Sequence, residues 1–137
     1  MKLDELKELI INTHRNGCFY FSAVSIDRIF SMAGNWQHDW TKVFKRILAR
    51  IKKGHGVWDC ANKEGKYVFL PTNSRNCMVI FFTPQLTGGY FIYDFKIVSL
   101  YHKMHQKIQL EASVSINDSL PLYDETKDYV ERWEKLH

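Results

Sequence analysis

The sequence predicts an α+β fold, in which a three-helix N-terminal half is followed by an antiparallel β-meander and a C-terminal helix. Apolar residues recur at helical spacing up to about residue 53, and short β-rich stretches separated by turn residues follow. The closing segment 124–136 is again amphipathic at helical spacing. With 45% hydrophobic and 15% aromatic residues among 137, the composition is globular and excludes a collagen-like or wholly disordered chain.

The first two helices are predicted from apolar spacing and from the residues at their ends. Apolar residues three or four positions apart favour a helix over 3–15, which the following Asn-Gly pair would end. An aromatic stretch at 18–21 predicts a small strand. Ser22 or Ser25 would then cap a second helix that Gly34 ends.

The third helix, predicted over residues 36–53, is the clearest element, with Asn35 as its N-cap and Asp39 in its first turn. Its apolar residues fall on one arc of about 140° at helical spacing. They are Trp36, Trp40, Val43, Phe44, Ile47, Leu48 and Ile51. The opposite side carries only basic residues, namely Lys42, Lys45, Arg46, Arg50, Lys52 and Lys53. This helix is therefore predicted to be apolar toward the protein and cationic toward its surroundings.

The second half of the chain has the patterns of strands. The predicted strands are 57–60 and 66–70, which form a hairpin, followed by 78–82 and 90–100. Alternating apolar residues over 104–116 favour a further strand with one solvated side, and a helix over 96–108 is the open alternative. The aromatic residues of 90–95 are interpreted as core. The two predicted parts, 1–71 and 72–137, are expected to pack as one unit.

The placement of charge is the main functional signal. Nineteen Lys and Arg against fifteen Asp and Glu give +4, and the cationic stretch 42–53 contains no acid, whereas 117–137 carries an acidic excess. A surface of one sign suits DNA binding, which gains free energy when Lys and Arg release condensed counterions. We assign base or phosphate contacts to Arg46 and Arg50. The alternatives are a solvated helix face and an acidic protein surface, including the C-terminal helix of a second copy.

The order of elements over residues 3–71 resembles that of winged-helix DNA-binding modules: helix, short strand, helix, helix and hairpin. The resemblance implies that helix 36–53 enters the major groove and that the hairpin wing contacts the backbone or minor groove. The wing tip would be Asn62, Lys63 and Lys66. The predicted nucleic-acid-binding residues are therefore Lys42, Lys45, Arg46, Arg50, Lys52, Lys53, Lys63 and Lys66.

We therefore expect a regulatory DNA-binding protein without catalysis and without a cofactor, with RNA as a second possible ligand. Its C-terminal half would supply homodimer or partner contacts. One rival is a small inhibitor or adaptor that binds an acidic protein partner through the same helix, a role that compact mobile-element proteins often have.

A second rival is a metal-dependent nuclease. Such enzymes often place an acid and a lysine two residues apart on a strand, as in Asp94-Phe95-Lys96, with another acid nearby to hold Mg²⁺. Asp59 or Glu64 would be that second acid.

Two histidines give another catalytic hypothesis. His102 and His105 could support acid–base cleavage of RNA, because imidazole titrates near neutral pH. We find no recognisable metal-ligand spacing, so no metal is predicted.

The chain is expected to be cytoplasmic and without a membrane partner. Its first residues are charged and unlike a secretory signal, and no long apolar run is present. Cys18, Cys60 and Cys77 are widely spaced, which favours free thiols over a disulfide framework.

Overall fold

Three helices, a further helical segment near the C-terminus and a five-stranded mixed sheet form the part of the chain that the structure, a computed structural model, describes: residues 2–33, 39–60, 65–73, 75–86, 88–99, 130–132 and 135. The helices are α1 (Lys2–Arg15), α2 (Ala23–Ala33) and α3 (Thr41–Lys53). The strands are β1 (Phe19–Phe21), β2 (Trp58–Asp59), β3 (Lys66–Pro71), β4 (Asn76–Pro84) and β5 (Tyr90–Ser99). The predicted α+β class is confirmed.

The sheet has the order β1-β5-β4-β3-β2. Strands β2 to β5 pair in sequence order and antiparallel, as the predicted hairpin and meander require. The sequence predicted β1 without placing it in the sheet; it pairs in parallel with β5, with Phe19 opposite Tyr90, so the sheet is mixed and not antiparallel throughout. Two adjacent parallel strands need a long crossover connection, and here the segment from α2 to β4 forms that connection. Strand β1 therefore lies at the edge of the sheet farthest from β2.

Two buried serines hold the start of α2 against β5. Ser22 caps the helix as predicted, because its Oγ accepts a hydrogen bond from the Ser25 amide at 3.1 Å. The same hydroxyl donates to the Tyr93 carbonyl at 3.1 Å, and the Ser25 hydroxyl donates to the Ile92 carbonyl at 2.8 Å. These bonds join the start of α2 to carbonyls at the end of the stretch that pairs with β1 and one residue beyond it, so the cap also fixes the helix to the sheet.

The main hydrophobic core lies between the helices and one face of the sheet. Its fully buried members include Leu6, Ile10, Phe30, Phe44, Ile47, Met78, Ile80, Phe82, Ile92 and Phe95. Phe44 of α3 stacks on Phe21 at a ring distance of 6.4 Å and meets Phe95 at 6.5 Å. Burying a side chain of this size stabilises the fold by about 1.5–3 kcal/mol. The apolar arc of α3 thus fixes the helix on the sheet and determines which of its sides faces outward.

The second face of the sheet carries a separate aromatic cluster. Tyr67, Phe81, Phe91 and Tyr93 are all buried and touch one another at ring distances from 6.1 to 6.5 Å. Phe95 is buried in the main core on the other face. The interpretation of the aromatic residues in 90–95 as core is therefore confirmed for Phe91, Tyr93 and Phe95.

Helix α3 begins later than predicted. Its first residue is Thr41, whose amide donates to the Asp39 carboxylate at 2.9 Å, so Asp39 precedes the helix instead of lying in its first turn. An aspartate that bonds the backbone two residues on favours a turn over a continuing helix. The predicted C-terminal stop is confirmed, because Gly54 has φ 72° and donates to the Arg50 carbonyl at 2.8 Å.

Several sequence predictions fall outside the described residues. They concern Gly34, Asn35, Trp36, Asn62, Lys63, Glu64, His102, His105 and the proposed strand 104–116. Residues 96–99 belong to β5, so the first part of segment 96–108 is strand. Of the predicted helix 124–136, residues 130–132 and 135 are helical, and Val130 is buried in the main core.

We expect Gly65→Ala to lower the free energy of unfolding by about 1–3 kcal/mol, the usual cost of overpacking. A Cβ at Gly65 would overlap the Tyr93 hydroxyl and lie 2.9 Å from two of its ring carbons. Urea denaturation measures the change. In the Tyr93→Phe background the same substitution should cost less, because the nearest clashing atom is gone. An unfolding free energy within about 0.5 kcal/mol of wild type for the single variant would contradict the prediction.

Candidate functional site

The strongest candidate is the outward side of α3, called here the α3 cationic surface. It consists of Lys42, Lys45, Arg46, Arg50, Lys52 and Lys53. Arg50 is half-buried, and the other five side chains are exposed. At about 100° per residue the six cations spread over an arc of roughly 160°. The structure thus places all six helix residues predicted from the sequence on one continuous surface.

The protein's own acids leave this surface unpaired within the described ranges. No carboxylate there forms an ion pair with any of the six cations. Two ion pairs lie elsewhere, between Arg28 and Asp94 and between Lys66 and Asp59. Exposed cations without bound carboxylates keep their charge available for an anionic ligand.

Acidic residues of α1 approach one end of the surface. Asp4, Glu5 and Glu8 are exposed and line an open groove together with Leu9, Asn12 and Lys45. Charges interact over a screening length of about 8 Å at physiological salt. These carboxylates therefore reduce the positive potential near Lys45.

An aromatic side chain borders the C-terminal end of α3. The Arg50 Nη1 atom and the Trp58 Cη2 atom lie 3.3 Å and 3.8 Å from the Cβ position of Gly56, a residue with φ 65° that has no side chain to separate them. We call Arg50, Gly56 and Trp58 the Arg50–Trp58 corner. Trp58 is 37% exposed, and its ring stacks on Phe69 at 5.2 Å and on Tyr67 at 5.9 Å.

Sequence reasoning missed the Arg50–Trp58 corner, because it considered Trp58 only as a hairpin residue. The position of Trp58 in a two-residue strand at the edge of the sheet, where its ring is not enclosed on all sides, follows from strand pairing and not from a local sequence pattern.

Of the two lysines predicted for the wing, Lys66 is already engaged, and Lys63 lies outside the described residues. Lys66 pairs with Asp59 across the β2–β3 hairpin, and its Nζ lies 2.6 Å from the Asp59 Oδ1 atom. The two side chains are 41% and 65% exposed, so the pair is a surface salt bridge that neutralises the charge of Lys66 and adds little stability. Lys66 therefore contributes less positive charge to a ligand surface than the sequence suggested.

The acid of the nuclease hypothesis lies in a different setting from a metal site. Asp94 is fully buried, and its Oδ1 accepts hydrogen bonds from the Arg28 guanidinium at 2.7 Å and from the Phe95 amide at 2.8 Å. Within the described residues, no group of three or more His, Cys, Asp or Glu side chains is arranged to hold a metal ion. The geometry around Asp94 is that of an ion pair linking α2 to β5.

All three cysteines are free thiols, as predicted. Cys60 is buried beside Tyr93, with its Sγ 3.6 Å from the tyrosine oxygen. Burial raises the pKa of the Cys60 thiol, and the nearby Asp59 carboxylate raises it further, against the lowering effect of the Tyr93 contact. The thiol is therefore held in its protonated, unreactive form.

Comparisons of the chain with protein-family models, with curated proteins and with solved structures find no match. Among the helices of the described part, none is long and apolar enough to cross a lipid bilayer.

Proposed function

We propose that this protein binds nucleic acid, with DNA as the first choice, through the α3 cationic surface, and that it acts as a non-catalytic regulator. The observation that carries the proposal is the grouping of six cations, five exposed and one half-buried, on one side of a single helix, without a paired carboxylate in the described ranges. Binding would gain free energy as phosphates replace condensed counterions on the ligand.

The charge is larger than helix stability alone requires. Cations in the last turn interact favourably with the helix dipole by about 0.3–1 kcal/mol each, which explains Arg50, Lys52 and Lys53. Lys42, Lys45 and Arg46 lie in earlier turns, where the dipole offers little, and α3 has no acid to pair with them at helical spacing. A role in binding a polyanion accounts for both groups of residues.

We propose that the N-terminal half binds DNA in the manner of a winged-helix module. The order of elements, α1-β1-α2-α3-β2-β3, is the order of such a module, and α3 would then be the helix that enters the major groove. Strand β1 lies at the edge far from the hairpin, and Lys66 is paired, so we assign the main contact to α3 instead of the wing. We place this function in the cytoplasm, where free thiols such as these persist.

The test is a salt series of binding to a fluorescently labelled DNA duplex, followed by anisotropy. With four to six phosphate contacts, log K should fall against log salt with a slope of about −4 to −5. Absence of binding to duplex and to single strands at low salt would contradict the proposal. It would favour the adaptor hypothesis, in which the same surface binds an acidic protein.

A further inference from the structure

The Arg50–Trp58 corner combines a cation with an exposed aromatic ring at the end of the α3 cationic surface. We infer that this corner stacks an unpaired base on Trp58, so that the preferred ligand is a nucleic acid with a single-stranded segment next to a duplex. This inference rests on the proposed function and specifies its ligand.

The ring of Trp58 is held in place before any ligand arrives. It packs nearly parallel to Tyr67 and Phe69, with interplanar angles of 24° and 25°. Tyr67 is itself 1% exposed and packs on Phe81 in the aromatic cluster. A ring supported in this way loses little conformational freedom on binding, which favours affinity.

The surroundings of Trp58 supply positive charge for the backbone of such a ligand. Lys52 and Lys53 are exposed at the end of α3, and Arg50 reaches the Cβ position of Gly56, which Trp58 also borders. Strand β2 is the outermost strand of the sheet and has only two residues. A nucleic-acid strand bound along α3 can therefore pass over this edge of the sheet. Its phosphates would lie near Lys52 and Lys53, and one of its bases would lie near the indole ring of Trp58.

Stacking on an exposed ring requires a base whose flat face is open. Inside a duplex both faces of each base are covered by its neighbours, whereas unpaired bases can be splayed out onto an aromatic side chain. An acidic protein segment would use the cations but would gain little from the indole. Charge and exposed aromatic surface together therefore fit a single strand better than a duplex alone or an acidic peptide.

The experiment measures dissociation constants for a blunt duplex, the same duplex with a single-stranded tail, and the tail strand alone, at one salt concentration. The wild-type protein should bind the tailed duplex about tenfold more tightly than the blunt one, since one stacked base contributes about that factor. Trp58→Ala should remove this preference and leave the affinity for the blunt duplex within about twofold. Trp58→Phe should keep most of the preference.

Leu86→Ala is the matched control, because Leu86 is an exposed large apolar residue on the turn between β4 and β5, with 108% relative exposure. It should leave the preference unchanged, and circular dichroism with thermal melts checks that each variant is folded. Equal wild-type affinity for blunt and tailed duplexes, or a preference that survives in a folded Trp58→Ala variant, would overturn the inference alone. Absence of binding to all three ligands would overturn the proposed function instead.

Discussion

Reversing two charges on the α3 cationic surface, in the variant R46E/R50E, is expected to weaken binding to DNA by a hundredfold or more at moderate salt. The change removes two cations from the surface and places two carboxylates there, which repel phosphates. A single phosphate contact contributes close to one unit of the salt slope, so the slope should also fall by about two. Anisotropy titrations at several salt concentrations measure both quantities.

A matched control distinguishes a loss of affinity caused by the α3 cationic surface from a loss caused by the lower net charge of the protein. R15E/R75E changes the charge of the protein by the same amount at two exposed arginines, one at the end of α1 and one in the loop before β4. Its effect should stay within about threefold, because neither arginine is part of the α3 cationic surface. Equal losses in both variants would mean that only net charge matters, and no loss in R46E/R50E would remove α3 from the binding surface.

The second large effect concerns stability. Arg28→Met should lower the free energy of unfolding by about 3 kcal/mol, near the lower end for a broken buried ion pair, because the Arg28 side chain is 32% exposed whereas Asp94 is fully buried. The substitution leaves the carboxylate of Asp94 without the guanidinium that lies 2.7 Å away. Urea denaturation at neutral pH gives the change.

A double-variant cycle identifies the cause of that loss. Arg28→Met combined with Asp94→Asn should recover a large part of the stability, because no buried charge is left behind. A loss below about 0.5 kcal/mol in Arg28→Met would contradict the structural role assigned to the pair. The same cycle is needed to test the nuclease hypothesis. A loss of cleavage in an Asp94 variant is evidence for a catalytic role only if that variant is still folded.

The local elements of the fold were predictable, and the long-range ones were not. The spacing of Phe44, Ile47, Leu48 and Ile51 is enough to predict α3 and its buried side, because helical periodicity is a property of neighbouring residues. The parallel pairing of β1 with β5 joins segments far apart in the chain. No local pattern encodes such a partner, so hairpin reasoning predicted an antiparallel sheet.

The same limit applies to the candidate site. Exposure of the α3 cations follows from the burial of the opposite side of the helix, so these residues were found from the sequence. The pairing of Lys66 with Asp59 depends on hairpin register, and the Arg50–Trp58 corner depends on how the Gly54 and Gly56 turn folds back on the helix end. These features arise from tertiary geometry that periodicity does not specify.

The claim that nucleic acid binds to the α3 cationic surface is tested most directly by mapping the binding site of a DNA ligand from changes in amide chemical shifts. Titration of a ¹⁵N-labelled sample should move the amides of residues 42–53 and the indole resonance of Trp58, with the largest changes toward the C-terminal end of α3. Saturable shifts confined to other parts of the chain, with the α3 amides unmoved, would contradict the proposal that this helix binds nucleic acid.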